Sequence, residues 1–332
     1  MINFIEKLVS YLDVSIILKD LIINGIVRGI SSIVAFVPQI IILMFIFSIL
    51  EDTGYISRMA LSFDRVLRKI GLSSKSFSSL LLGTSCSALA IVSTRTIKNK
   101  EEKDRTNILI PFIPCSAKVP IILFFLNTFF NNSFYIFISF YLLAIILIII
   151  LSLIFKKSND SSYILELPVL KLPNVKVAIK DTYNKTSSFL KRICSVILLF
   201  SIINWFLLSF DKSLNYGCNI DNSLLYFISS KISILTYPFM GINDPKILIS
   251  IVTGFLAKEQ VVSTLGILKP NINIFNVYSF ICFNLFTIPC INTLFALKQE
   301  SGKKILVLSI LLQIFISFLV STLIYRVMIW IF

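Results

Sequence analysis

Long apolar runs dominate this sequence and constrain its fold more than any other feature. A helix needs about 20 apolar residues to cross the hydrocarbon core of a bilayer. Six runs approach or exceed that length: residues 33–50, 107–130, 134–155, 189–210, 275–297 and 305–332. Hydrophobic residues make up 56% of the chain and charged residues only 14%, whereas soluble proteins carry about 25% charged residues. The sequence therefore predicts an all-α polytopic membrane protein embedded in the lipid bilayer.

Basic residues concentrate in short loops between the apolar runs and give the chain a net charge of +14. The basic clusters are residues 58–75, 95–105, 156–192 and 298–304. Because loops rich in Lys and Arg stay in the cytoplasm, we expect all four clusters on one side of the cell (cytoplasmic) membrane, in a multi-pass topology. This pattern accounts for the positive charge without nucleic acid, which we exclude as a partner.

Two further apolar runs, residues 77–94 and 247–268, contain sequences that break helices. The first has basic loops on both sides, so we expect a re-entrant pair of short segments. The same reasoning makes the second run re-entrant from outside and places residues 1–32 outside. The predicted divisions are an N-terminal amphipathic segment (1–32), a first repeat with a connecting helix (33–155), a cytoplasmic linker (156–188), and a second repeat with a C-terminal helix (189–332).

The two broken runs resemble each other, which indicates an internal repeat. The sequences GTSCSALAIVSTRTI (83–97) and GFLAKEQVVSTLGI (254–267) both begin at glycine and contain Val-Ser-Thr, and each precedes an Ile-Pro-Cys sequence, at 113–115 or 288–290. The loop charges orient the two copies oppositely. Inverted repeats with broken helices are typical of secondary transporters, which bind substrate near the middle of the membrane. The alternative is that Gly and Pro only permit close packing of helices.

Three cysteines lie at the predicted breaks: Cys86, Cys115 and Cys290. A proline beside Cys115 and Cys290 removes a helical hydrogen bond and frees a carbonyl. Thiols beside free carbonyls can bind a borderline-soft divalent cation, whereas Mg²⁺ and Ca²⁺ prefer carboxylates and water. The alternative is that each cysteine is a small hydrophobic side chain in a helix contact. The remaining cysteines are interpreted as packing or loop residues: Cys194, Cys218 and Cys282.

Ionisable residues in or near the apolar runs are further candidates, because a charge in lipid is costly. Glu259 can offer oxygen to a cation or exchange a proton, and Lys118 and Lys258 can balance its charge or repel the cation when the path is closed. A purely structural buried pair is the alternative. Asn284 fits helix–helix hydrogen bonding as well as ion binding. With no phosphate-binding G-x-x-x-x-G-K-[ST] sequence and no histidine, we predict no enzyme activity and no permanently bound cofactor.

The same segments resemble the membrane domain of the ferrous-iron transport protein B (FeoB) family. The resemblance covers nearly the whole chain in order. The matching segments are VPQIIILMFIFSILEDTGYISRMALSFDRVL (37–67), GTSCSALAIVSTRTI (83–97), IPFIPCSAKVPI (110–121), ELPVLKLPNVK (166–176), SFLKRICSVILLFSIINWFL (188–207), GFLAKEQVVSTLGI (254–267) and FTIPCINTLFALKQESG (286–302). One departure is that Ser87-Ala88-Leu89 follows Cys86, where the family often has Asn-Val-Pro.

The resemblance implies a permease for Fe²⁺ as transported substrate, with the metal path on Cys86, Cys115 and Cys290 by motif position. The family usually carries a GTP-binding domain, a helical regulatory domain and one more transmembrane helix, none of which is matched here. We therefore expect a separate GTP-binding protein and small iron-transport accessory proteins as partners, and a homo-oligomer is compatible with the sequence. The rival hypotheses are a transporter of a nucleoside or organic anion, and a non-transporting membrane partner or fragment.

Overall fold

The computed structural model describes residues 15–130, 134–156, 174–211, 215–216, 223–241, 244–255, 258–268 and 274–331. The helices of the first half are α1 (Ile16–Asp20), which continues through a π-helical segment (Leu21–Val27) into α2 (Arg28–Asp52), then α3 (Tyr55–Ser62), α4 (Asp64–Lys69), α5 (Ser74–Ser85), α6 (Ser87–Ser93), α7 (Lys100–Leu109), α8 (Val119–Phe129) and α9 (Phe134–Ile154). The helices of the second half are α10 (Val175–Ser209), α11 (Leu224–Met240), α12 (Pro245–Thr253), α13 (Glu259–Leu268), α14 (Ile274–Phe286) and α15 (Ile291–Ile331).

Helices account for nearly all the regular structure of the described residues, in which β contacts are limited to isolated bridges. Three segments are long and apolar enough to cross a membrane, namely Lys100–Phe129, Phe134–Ile154 and Asn276–Trp330. The outer face of α9 exposes Leu142, Ile145 and Ile146, a surface that suits lipid and not water. The predicted class, an all-α membrane protein, is confirmed.

The apolar core lies where helices of the two predicted repeats meet. Phe125 of α8, Phe140 of α9 and Phe280 of α14 are each less than 2% exposed. The rings of Phe125 and Phe280 pack edge to face with centroids 5.4 Å apart, an arrangement that aromatic quadrupoles favour. This contact holds α8 beside α14, and both helices begin or end at a break described below.

Helix α15 reverses direction at Gly302, whose φ of 82° and ψ of 177° are non-helical. Ser279 of α14 bonds Ser321 of α15 at 2.6 Å, and the ring of Phe283 lies 5.1 Å from that of Phe318. The later residue of α14, Phe283, thus contacts the earlier residue of α15, Phe318. The segment after Gly302 therefore runs antiparallel to α14. The apolar runs on either side of the basic loop 298–304 therefore pack side by side.

The four basic clusters meet at one end of the molecule, which we call the basic end. Three contacts join them: Arg105 donates to the Gly71 carbonyl at 2.5 Å, Lys156 donates to the Lys69 carbonyl at 3.0 Å, and Arg95 forms an ion pair with Glu300 at 2.5 Å. This arrangement is the one expected for loops that share one side of a membrane.

The structure differs from the sequence prediction in three segments. Helix α10 begins at Val175, where the Asn174 side chain caps it, so the described end of the predicted linker 156–188 is helical. Helix α11 lies outside all the apolar runs predicted from sequence. Its serines and a lysine interrupt the apolar residues, so that no run reaches the length of a recognisable span. The run 107–130 is not one helix, since α7 ends at Leu109 and α8 begins at Val119.

Candidate functional site

The first break in the helices is at Cys86, between α5 and α6. Its backbone is extended, with φ of −151° and ψ of 117°, and it serves as the C-cap of α5 and the N-cap of α6. The carbonyl of the preceding Ser85 accepts a hydrogen bond from Ser116 Oγ at 2.7 Å. A backbone group freed at membrane depth must find such a partner, because no water is available in the hydrocarbon core.

The second break covers residues 110–118, between α7 and α8. Prolines at 111, 114 and 120 explain it, because each lacks the N–H that would bond the preceding helical turn. Cys115 is extended, with φ of −80° and ψ of 165°. Since Ser116 at this break bonds Ser85 at the first break, the two breaks of the first repeat are joined directly.

The second repeat has two corresponding breaks. One lies between Thr253 and Glu259. Within this break, residues 256–257 are outside the described part of the chain. The other lies between Phe286 and Ile291 and contains Cys290, whose thiol is 3.2 Å from the Thr293 hydroxyl. The Ile291 amide donates to the Phe255 carbonyl at 3.1 Å. Thus one hydrogen bond joins the two breaks in each repeat, and the breaks predicted from the Gly and Pro positions are observed.

The three predicted thiols lie in the same region of the structure. Cys86 lies close enough to both Cys115 and Cys290 for direct electrostatic interaction, and Cys115 and Cys290 interact in the same way. Each is partly buried. In the described structure, no group of three or more Cys, Asp, Glu or His side chains is placed so that it could hold a metal ion. A metal path on these three thiols therefore stays a prediction.

The other cysteines are placed differently. Cys282 is fully buried in the apolar core on α14, and Cys194 is partly buried on α10. Cys218 lies outside the described residues.

Two buried lysines lie next to the thiols. Lys118 and Lys258 are each 2% exposed, and both interact electrostatically with Cys115 and Cys290. Lys118 Nζ donates to the Leu285 carbonyl at 2.5 Å and, with a longer bond of 3.3 Å, to the Pro111 carbonyl. Since Pro111 belongs to the first repeat and Leu285 to the second, the Lys118 ammonium joins the two repeats.

Lys258 has a different partner, the Asn284 side chain, to whose Oδ1 it donates at 3.1 Å. Asn284 is 2% exposed, and its Nδ2 has no hydrogen-bond partner among the residues that the structure describes. Among the described side chains no carboxylate forms an ion pair with Lys118 or Lys258. The side chain of Glu259, the predicted partner of these lysines and a predicted metal ligand, is outside the described structure.

Two residues near the breaks were not identified from sequence. Gln39 Nε2 donates to Ser116 Oγ at 3.4 Å, and Ser116 bonds onward to the first break. Gln39 follows Pro38 inside an otherwise apolar run, so a polar residue in a spanning segment was the available signal. Ser116 gave no signal of its own, because serine is common in helices that contact one another in membranes.

These features define a class: a polytopic α-helical membrane protein whose two repeats carry broken helices, thiols and buried ammonium groups at one internal site. Residues 33–129 and 190–304 match the Gate family, described as nucleoside recognition. Residues 137–185 match the family described as the ferrous iron transport protein B C terminus. The chain belongs to the Gate family, and its predicted resemblance to the membrane domain of ferrous-iron transport protein B is confirmed.

Curated relatives are also named after ferrous-iron transport. The Fe(2+) transporter FeoB of Staphylococcus aureus (strain COL) is 32% identical over 90% of this chain and 47% of its own length. The Fe(2+) transporter FeoB of Leptospira biflexa is 36% identical over 76% of this chain and 39% of its own length. A Porphyromonas gingivalis protein described as an Fe(2+) transport protein A/Fe(2+) transporter FeoB fusion is 30% identical over 93% of this chain and 44% of its own.

The chain thus spans less than half the length of these relatives. No solved structure matches it.

Proposed function

We propose that the chain is the permease portion of a ferrous-iron transporter in the cytoplasmic membrane. The observation that carries this proposal is the approach of Cys86, Cys115 and Cys290, from three separate helix breaks, to within electrostatic range of one another. The relatives are named as Fe(2+) transporters, which supports Fe²⁺ as the substrate.

The donor set suits this ion. Thiols and backbone carbonyls are softer ligands than the carboxylates and water that Mg²⁺ and Ca²⁺ require, and they fit a borderline divalent transition metal. A transported ion must also leave its site, so an open set of two or three ligands is preferable to a closed tetrahedral cage. In this proposal Glu259 either provides an additional oxygen ligand to the cation or exchanges a proton.

The two buried lysines act as gating or charge-balancing groups in this proposal. An ammonium group near the thiols repels a divalent cation strongly, because charges interact more strongly in a low-dielectric interior than in water. Lys118 bonds carbonyls of both repeats, so relative movement of the repeats would withdraw it from this position. A separate GTP-binding protein would drive that movement, small iron-transport accessory proteins would assist it, and homo-oligomerisation is compatible with it. We propose no catalytic role for this chain.

The test is uptake of radiolabelled Fe²⁺ by cells that lack other iron importers and express the full chain. Uptake is measured with and without a co-expressed GTP-binding protein of the family. Cys86→Ser and Cys115→Ser should each reduce uptake at least about tenfold, since even outer-shell changes at metal sites cost 10- to 100-fold. Cys194→Ser, a partly buried cysteine on α10 away from the breaks, is the matched control and should leave uptake unchanged. Absence of uptake under both conditions would reject the proposal.

A second candidate is transport of a nucleoside or organic anion. Two observations favour it: the Gate family is described as nucleoside recognition, and the site contains two buried lysine side chains and an Asn284 Nδ2 donor that has no partner among the described residues. The cysteine variants discriminate, because they should cripple a metal path and leave transport of a radiolabelled nucleoside nearly intact.

A further inference from the structure

Gln39 is a polar residue well inside the apolar helix α2. At 1.5 Å per residue, it lies about 20 Å along the helix from Asp52, which is at the basic end of the molecule. Its side chain is exposed on the surface of the helix. A side-chain amide at membrane depth is costly unless polar groups lie beside it. The contacts of Gln39 therefore indicate what it does.

Helix α2 packs directly on the first break. Ile40 and Met44 of α2 are 3% and 6% exposed, and they form one apolar cluster with Leu89 of α6 and with Cys86. Gln39 immediately precedes Ile40, so this packing brings its side chain to the edge of the same break. The position of Gln39 is thus fixed by apolar contacts on either side of the Cys86 thiol.

Two hydrogen bonds connect Gln39 to both breaks of the first repeat. Gln39 Nε2 donates to Ser116 Oγ at 3.4 Å, and Ser116 Oγ donates to the Ser85 carbonyl at 2.7 Å. A hydroxyl group has one hydrogen to donate, and its oxygen can accept from another donor. Because the hydrogen of Ser116 is used on Ser85, the amide of Gln39 bonds the hydroxyl from its accepting side and holds it in this orientation.

The two serines are the chain neighbours of two predicted thiols. Ser85 immediately precedes Cys86, and Ser116 immediately follows Cys115. Each serine is joined to its cysteine through one planar, rigid peptide unit, so the bond between the serines limits how far apart the two cysteines can move. All four residues are partly exposed, so a ligand can reach the groove between the breaks.

We propose that Gln39 is a positioning residue of the cation path. Its amide orients the Ser116 hydroxyl, this hydroxyl ties the two breaks together, and the tie sets the separation of the Cys86 and Cys115 thiols. Gln39 acts through Ser116 and is not itself a ligand. Side chains that hold metal ligands in place contribute to affinity in this way at other metal sites. The role rests on the proposed function, because it concerns the same path.

The test is Cd²⁺ binding by the purified full chain, followed by the ultraviolet absorption band of Cd²⁺–thiolate bonds. Cd²⁺ is a thiophilic divalent cation, and the band reports thiol ligation directly. Cys86→Ser and Cys115→Ser should each reduce the band. Gln39→Met keeps the length of the side chain but removes its donor, and should weaken Cd²⁺ binding about tenfold or more.

Thr84→Val is the matched control. Thr84 is also exposed and also lies beside the first break, but its hydroxyl bonds the Leu81 carbonyl of its own helix at 2.7 Å. Loss of this hydroxyl leaves the bond between Ser116 and Ser85 intact. The valine variant should therefore bind Cd²⁺ as the wild type does.

A double-mutant cycle with Ser116→Ala separates positioning from direct ligation. If Gln39 acts through Ser116, adding Gln39→Met to Ser116→Ala should weaken binding no further. Melting temperatures confirm that each variant is folded, and Gln39→Leu replaces Gln39→Met if the latter is unstable. Additive losses, or equal binding by the wild type and Gln39→Met, would overturn the positioning role and leave the proposed function standing. A band that neither cysteine variant reduces would reject the thiol path, and this role with it.

Discussion

At the scale of single residues, the buried lysines are the groups whose environment is hardest to explain by packing alone. Lys118 is 2% exposed and bonds only backbone carbonyls among the described residues, one from each repeat. A charged group in the membrane interior is costly and marks a functional site by default. Its hydrogen-bond partners are neutral carbonyls, and no described carboxylate pairs with it.

Replacing Lys118 should therefore open the path. We expect Lys118→Met to increase Fe²⁺ entry into proteoliposomes about tenfold in the absence of a GTP-binding protein, as the contact with the Leu285 carbonyl and the repelling charge are both lost. The same change leaves carbonyls unpaired, at a cost of about 1–3 kcal/mol each, so the melting temperature should fall. Lys118→Arg retains charge and donors and is the control. Unchanged or lower entry by a folded Met variant would contradict a gating role.

At the scale of secondary-structure elements, reversals and breaks decide how the helices are arranged. Each repeat contains two breaks joined by one hydrogen bond, Ser116 to Ser85 in the first and Ile291 to Phe255 in the second. The reversal at Gly302 lets α15 return along α14. The φ and ψ of Gly302, 82° and 177°, fall in a region that is open essentially only to glycine.

Substitution of Gly302 tests this dependence on backbone conformation. Gly302→Ala should lower the free energy of unfolding by about 1–3 kcal/mol, although no atom lies within 4 Å of the added methyl group. Gly266 on α13 also has free space around it, without a positive φ. Gly266→Ala should therefore be neutral or slightly stabilising, by up to about 1 kcal/mol. Denaturation of both variants in detergent measures the difference, and equal effects would show that backbone strain is not the cause.

At the scale of the whole molecule, polar contacts at the basic end hold the two repeats together. The side chain of Glu300 is 5% exposed and forms ion pairs with Arg95 at 2.5 Å and Lys103 at 3.0 Å. Asn107 Nδ2 donates to Ser301 Oγ at 2.7 Å beside them. Since Arg95, Lys103 and Asn107 belong to the first repeat and Glu300 and Ser301 to the second, this cluster links the repeats at the basic end.

Removal of the Glu300 charge should loosen this link. Glu300→Gln leaves two cations without their shared carboxylate and should lower the free energy of unfolding by about 1–2 kcal/mol, less than for a fully buried pair because Arg95 is half exposed. The control is Asp64→Asn, which breaks the exposed Arg68–Asp64 pair within one helix and should cost no more than about 0.5 kcal/mol. If Glu300→Gln and Asp64→Asn lower the free energy of unfolding by the same amount, the cluster does not link the repeats.

Much of this architecture follows from sequence alone, for local reasons. Hydropathy over about 20 residues specifies a membrane helix, and the two Ile-Pro-Cys sequences interrupt their helices locally, so the class and the breaks at Cys115 and Cys290 were predictable. The helix α11 was not, because its apolar residues are diluted by serines. The start of α10 at Val175 was not, because charged residues in 175–188 resemble those of a loop.

The tertiary structure alone decided which of these parts meet. Lys118 and Leu285 are 167 positions apart, and no local pattern encodes their hydrogen bond or the approach of three thiols from three breaks. Hydropathy and helix breaking act within one turn or one span, whereas these juxtapositions depend on how whole helices pack.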